Sequence, residues 1–126
     1  MAQKILLVDD EAGFTQLMKM NLEKSGDFEV MIENDSTKAV ATARSFLPDI
    51  ILLDVVMPGM DGVDVQSGLQ SDPALQKVPV IMLTALVDSA ELSEGAVAQS
   101  GSSVVLPKPV DLPLLLRVIE QSIAAA

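Results

Sequence analysis

Five polar side chains close or directly follow short apolar runs in this sequence. Asp9 and Asp10 follow Ile5 to Val8, Asp54 follows Ile50 to Leu53, Thr84 follows Val78 to Leu83, and Lys108 comes just after Ser103 to Leu106. Singly, each has an ordinary use, since acids and threonines at strand ends often cap the next helix or shape a turn. Together they offer three carboxylates, a hydroxyl and an ammonium. Carboxylates held a few ångströms apart repel one another, and a cation relieves that repulsion. The chain has no Cys and no His, so thiolate and imidazole ligands are excluded and the donors left are hard oxygens. Such donors select Mg²⁺, or Mn²⁺, over zinc or copper. In this setting an Asp can act as a nucleophile toward phosphorus and form an acyl phosphate. The ion and Lys108 would neutralise the phosphoryl oxygens, and Thr84 would donate a hydrogen bond to one of them. Placement alone does not choose the acceptor among the three Asp.

For these groups to meet, the runs that carry them must lie side by side. Ile5 to Val8, Ile50 to Leu53, Val78 to Leu83 and Ser103 to Leu106 are rich in Val, Ile and Leu, as in strands buried on both faces, and Phe28 to Ile32 is a fifth candidate. Helical spacing fills the gaps. Phe14, Leu17, Met18 and Leu22 form one stripe, Val40, Ala43, Phe46 and Leu47 a second, and Leu112, Leu115, Leu116, Ile119 and Ile123 the clearest. A weaker helix is expected near Gly62 to Gln70, with Gly68 inside it. Stops are expected at Gly26, Pro48 and Gly101, and Asp111 is a plausible cap for the last helix. Strand and helix thus alternate five times, which predicts an α/β fold: a five-stranded parallel sheet with helices on both faces. Ligands of such sheets sit beyond the carboxyl ends of the strands, where all five polar groups fall.

The 126 residues suit one domain. Eighteen acidic against eight basic side chains leave a net charge of −10, which opposes direct binding to nucleic acid or to an anionic membrane. The apolar runs are too short to span a bilayer, and Asp9, Asp10 and Glu11 interrupt any signal-peptide pattern. A cytoplasmic location is expected, and the absence of Cys agrees with it.

The blocks Ile5-Leu6-Leu7-Val8-Asp9-Asp10-Glu11, Leu53-Asp54-Val55-Val56-Met57-Pro58-Gly59-Met60-Asp61-Gly62, Leu83-Thr84-Ala85 and Pro107-Lys108-Pro109 are similar, in order, to the signature blocks of the receiver domains of two-component response regulators. The resemblance covers essentially the whole chain and implies a flavodoxin-like (βα)5 fold. It implies Asp54 as phosphoacceptor, Asp9, Asp10, Asp54 and the backbone carbonyl of Val56 as Mg²⁺ ligands, Thr84 as the hydroxyl on the phosphoryl oxygen, and Lys108 as the ion-pair partner. It further implies a histidine kinase or phosphotransfer protein as donor and a downstream protein target or effector domain. Apolar Leu112, Leu114 and Leu115 exceed what one buried stripe requires, so that surface is expected to dock a partner or a second copy, with a phosphorylation-dependent homodimer as one form of output. One position departs from the pattern. The family often carries Tyr, Phe or His three residues before the Lys, where this chain has Val105, and its three Phe stand at 14, 28 and 46.

Two other classes share parts of this pattern. A phosphatase of the haloacid-dehalogenase type would place a second Asp two residues after its nucleophile, where this chain has Glu11 or Ala12. A flavodoxin-like cofactor binder would need a phosphate loop after the first strand, where three acids stand instead. Within the receiver reading, Val56 and Leu86 are both aliphatic and resemble a rim over the phosphorylated Asp. Either they only pack against the loops, or they exclude water from the acyl phosphate. The second alternative predicts that Val56→Asn with Leu86→Glu speeds phosphoryl loss about ten-fold, followed by mass after removal of donor; the first predicts equal decay.

Overall fold

A computed structural model describes residues 2–55, 57–84, 98–100, 103–108 and 110–125. In chain order the elements are β1 (Gln3–Val8), α1 (Ala12–Ser25), β2 (Phe28–Glu33), a 3₁₀ turn at Ser36–Lys38, α2 (Ala39–Phe46), β3 (Ile50–Asp54), α3 (Gly62–Gln70), β4 (Val80–Thr84), β5 (Ala98–Ser100), β6 (Ser103–Pro107) and α4 (Leu112–Ala125). The strands form one sheet in the order β2-β1-β3-β4-β6-β5, parallel from β2 to β6.

Successive side chains of a strand point to opposite faces, and both faces of this sheet are covered. Ile5, Leu7, Ile50, Leu52, Ile81 and Leu83 pack with Met18 and Leu22 of α1 and with Leu115 and Ile119 of α4. Leu6, Val8, Ile51, Leu53 and Met82 pack on the other side with Ala43 and Phe46 of α2 and with Val65 and Leu69 of α3. The continuous apolar runs therefore reflect two cores, each supplied by alternate residues of the same strands. Fully burying one Leu or Ile in either core contributes about 1.5–3 kcal/mol.

The expected α/β sheet of five parallel strands is present, with one addition. Ala98–Ser100 pairs antiparallel with β6 and adds a sixth, edge strand. The expected helix ending at Gly101 is therefore corrected over 98–100, because a Gly punctuates a strand end as readily as a helix end; the rest of that segment lies outside the described residues. Two stripe residues are also corrected. Leu17 is 59% exposed on α1, and Leu47 is 57% exposed because it is the left-handed residue, φ 53°, that ends α2 before Pro48. Gly68 has a reason to interrupt α3: a Cβ there would lie 3.0 Å from Val40 Cγ2 on α2, so the small residue allows the two helices to approach.

The loop from α3 to β4 is tied to α2 by Asp72, which is 8% exposed. Its Oδ1 accepts from the Ala74 N–H at 2.9 Å, and its Oδ2 accepts from Arg44 Nε at 2.7 Å. The backbone bond from Ala74 and then the bond from Arg44 hold its carboxyl below the ordinary Asp range, against the opposing effect of burial. A carboxyl pKa lowered in the folded state stabilises above the unfolded value, near 3.9, and that stabilisation is lost as pH falls through the folded value. Asp72→Asn should lower the urea midpoint at pH 7, and the deficit should shrink as pH is lowered from about 4 toward 2. A deficit independent of pH would show that the charge of Asp72 is not what ties the loop.

Candidate functional site

The sheet register determines which polar residues meet. Val8 pairs with Leu53, so Asp9 and Asp54 stand together where β1 and β3 end. Asp54 pairs with Leu83, and Thr84 with Pro107, which brings Thr84 and Lys108 to the same edge. Backbone bonds hold the chain as it leaves the strands. The Asp9 N–H donates to the Glu33 carbonyl at 3.2 Å, the Val55 N–H to the Leu83 carbonyl at 3.1 Å, and the Lys108 N–H to the Thr84 carbonyl at 2.9 Å.

Asp9 is fully buried, and Asp54 and Thr84 are 5% and 2% exposed. The Lys108 ammonium lies 2.6 Å from Asp9 Oδ2 and 3.5 Å from both Asp54 Oδ2 and Glu11 Oε1. It also stands over the Phe14 ring, 4.6 Å from the centroid. Burial works against the charge of Lys108, but the hydrogen bond to Asp9 and the charges of Asp9, Asp54 and Glu11 outweigh it and raise its pKa above the ordinary Lys value.

Asp9 serves as a turn residue and as a site residue at once, for its Oδ1 accepts from the Glu11 N–H at 3.0 Å where α1 begins. One oxygen each from Asp9, Glu11 and Asp54 fall within 4.8 Å of one another, a cluster of hard donors that fits a small divalent cation. Asp10 is exposed and outside that cluster. Glu11 joins the cluster although the motif reading does not single it out. Its signal was there: beyond an extended strand, alternate residues share a side, which groups 9 with 11 rather than with 10.

Two further side chains position the site. Asn34 Nδ2 donates to the Asp9 carbonyl at 2.7 Å and to Thr15 Oγ1 at 3.1 Å, fixing the exit of β1. Ser36 Oγ donates to the Pro58 carbonyl at 3.0 Å and accepts from the Met60 N–H at 3.2 Å, fixing the loop after Asp54. An Asn or Ser in a loop reads as an ordinary turn residue, so neither carried a signal. Asp61 caps α3 by accepting from the Asp64 N–H at 3.0 Å. Gly62 permits close packing, because a Cβ there would lie 2.5 Å from the Asp54 carbonyl oxygen. Val105 pairs with Met82 of β4, is 8% exposed, and belongs to the core on the sheet face that α2 and α3 cover. Val56, Leu86 and Pro109 lie outside the described residues.

The family model of the response regulator receiver domain matches residues 5–120. The response regulator PleD of Caulobacter vibrioides is 41% identical over 111 residues, which are 88% of this chain and 24% of that protein. The DNA-binding response regulator MtrA of Mycobacterium tuberculosis is 37% identical over 109 residues, 86% of this chain and 45% of that protein. The chain thus spans a quarter to a half of the length of these relatives. Among solved structures, the chemotaxis protein CheY4 of Vibrio cholerae superposes with a TM-score of 0.81 at 28% identity, covering 97% of this chain and 99% of that one. The receiver domain of a signal transduction histidine kinase from Syntrophus aciditrophicus gives 0.80 at 29%, covering 99% and 92%. With its fold and its acidic strand ends, the chain belongs to the response regulator receiver domain family, the signalling phosphoacceptors of two-component systems.

Lys108→Met removes the cation from beside a fully buried carboxylate and should destabilise the protein by roughly 3 kcal/mol near neutral pH. A Lys pKa raised on folding gives stability that is complete below the unfolded value, about 10.4, and is lost as pH rises through the folded value. The difference between wild type and Lys108→Met in chemical denaturation should therefore hold from pH 7 to about 10 and narrow above it. A variant as stable as wild type at pH 7 would contradict the ion pair.

Proposed function

We propose that this chain, as a single receiver domain over residues 1–126, takes a phosphoryl group onto Asp54 from a histidine kinase or phosphotransfer protein and signals through a change in protein contacts. The observation that carries this reading is the nearly buried Asp54 carboxylate, 3.5 Å from the Lys108 ammonium and within the acidic cluster. A buried acid beside a fixed cation and hard-oxygen neighbours suits in-line attack on phosphorus.

The step balances simply. An Asp54 carboxylate oxygen forms the new bond to phosphorus, and the bond from phosphorus to the donor nitrogen or oxygen breaks, its electron pair leaving with the donor. Lys108 neutralises charge on the phosphoryl oxygens, and the Thr84 hydroxyl donates to one of them. Asp9, Asp10, Asp54 and the Val56 carbonyl would hold Mg²⁺, with Mn²⁺ as a substitute, and the geometry adds Glu11 to the candidates. The bound ion would neutralise phosphoryl charge as a Lewis acid. Burial of Asp9 and Asp54 limits the paths by which water reaches the acyl phosphate.

A cytoplasmic setting is part of this proposal; among the described residues no helix is long and apolar enough to cross a membrane. A net charge of −10 opposes direct contact with nucleic acid. Output would therefore pass to a protein target, an effector domain or a second copy, through the face that includes β6 and α4, where Leu112 and Leu114 remain partly exposed; Leu115, expected on the same surface, is fully buried in the core and is corrected.

Incubation with Mg²⁺ and a small phosphodonor should add one phosphoryl mass to the intact protein. The adduct should be absent with chelator and absent in Asp54→Asn. Undiminished labelling of Asp54→Asn would remove Asp54 as acceptor.

A further inference from the structure

Lys108 depends on more than carboxylates. Its ammonium stands 4.6 Å from the centroid of the Phe14 ring, within the range at which the negative face of an aromatic ring attracts a cation. Phe14 lies on the first turn of α1, immediately beyond the acids it would serve. An open depression of 530 Å³ borders Glu11, Phe14, Lys108 and Val110, so the flexible Lys stem has room to turn outward. The chain has no Tyr or Trp, and its other two Phe, at 28 and 46, lie on β2 and α2.

We propose that Phe14 is a positioning residue for Lys108, its ring face keeping the ammonium inside the site when a bound cation weakens the pull of the acids.

The inference rests on the phosphoacceptor reading of Asp54 and Lys108. The physical point is competition. The carboxylates of Asp9, at 2.6 Å, and of Asp54 and Glu11, both at 3.5 Å, attract the ammonium. A divalent ion on the same carboxylates neutralises them and repels a second cation, whereas the attraction of a neutral ring is unaffected. The ring thus matters most in the state that reacts. It also acts from α1, on a helix separate from the strand that carries Val105, the position where the family often has its aromatic.

Progressive fluorination of the Phe14 ring tests this, because it weakens the quadrupole while leaving shape and packing nearly unchanged. Phosphorylation by a small phosphodonor with Mg²⁺ should slow steadily with each fluorine, reaching about two- to five-fold for a trifluorinated ring, and melting temperature should stay level. Phe14→Tyr should retain the wild-type rate and Phe14→Leu should not. Independently of any phosphorylation, the ε-methylene protons of Lys108 should be shifted upfield by the ring in the metal-free protein, and the shift should vanish in Phe14→Leu. Equal rates across the fluorinated series, or an unchanged shift in Phe14→Leu, would overturn the proposal. A wild type that takes no label would overturn the reading of Asp54, while the Lys108 shift would still decide the ring contact.

Discussion

A carboxylate with no exposed surface has to be neutralised, and the site is built around that requirement. Removing an ion from water costs several kcal/mol, and a partner repays this only when the geometry is close. Asp9 is fully buried and meets Lys108 at 2.6 Å, across 99 residues of sequence. No local interaction could join these two groups. The contact exists only when β1 and β6 occupy the same sheet with their carboxyl ends at one edge, so the ion pair reports on the whole topology. Asp54, between them in the sheet, shares the same ammonium at 3.5 Å.

The parallel sheet supplies this convergence at little cost, because every strand points the same way and every crossover returns to the opposite end. The apolar residues that bury each strand on both faces also prevent it from sliding, since a one-residue slip would exchange the side chains of the two cores. Register is thereby fixed to one residue, and so is the distance from Asp54 to Lys108. Asn34 and Ser36, both following β2, extend the same control to the loops after β1 and β3. The edge strand β2 thus holds the exit of β1 through the Glu33 carbonyl and leads directly into the residues that position the loops.

Much of this was legible in the sequence, for identifiable reasons. Runs such as Ile50 to Leu53 have the composition of strands buried on both sides, and the polar residues that follow four of the five runs pointed to the edge where Asp9, Asp54, Thr84 and Lys108 converge. The helix over Gly62 to Gln70 was readable despite Gly68, whose purpose emerges only from its contact with Val40. Tertiary choices were less visible. Leu17 and Leu47 fit apolar stripes by spacing but are exposed, one on the outer side of α1 and the other in a left-handed helix end. The pairing of Ala98–Ser100 with β6 depends on a neighbour that periodicity cannot see. Glu11 was overlooked because three consecutive acids look equivalent until the geometry at the end of the strand sorts 9 and 11 from 10. Phe14 counted as core, and its contact with Lys108 belongs to the fold rather than to any local pattern.

In the proposed reaction the carboxylate at position 54, and no other in the acidic cluster, forms the bond to phosphorus. Reductive trapping reads this directly. After treatment with Mg²⁺ and a small phosphodonor, borohydride converts a phosphorylated aspartate to homoserine, and peptide sequencing by mass spectrometry locates it. Homoserine is expected at position 54 alone, with Asp9, Asp10 and Glu11 recovered unchanged. Homoserine at position 9 or 10, or a labelled protein with position 54 intact, would contradict it.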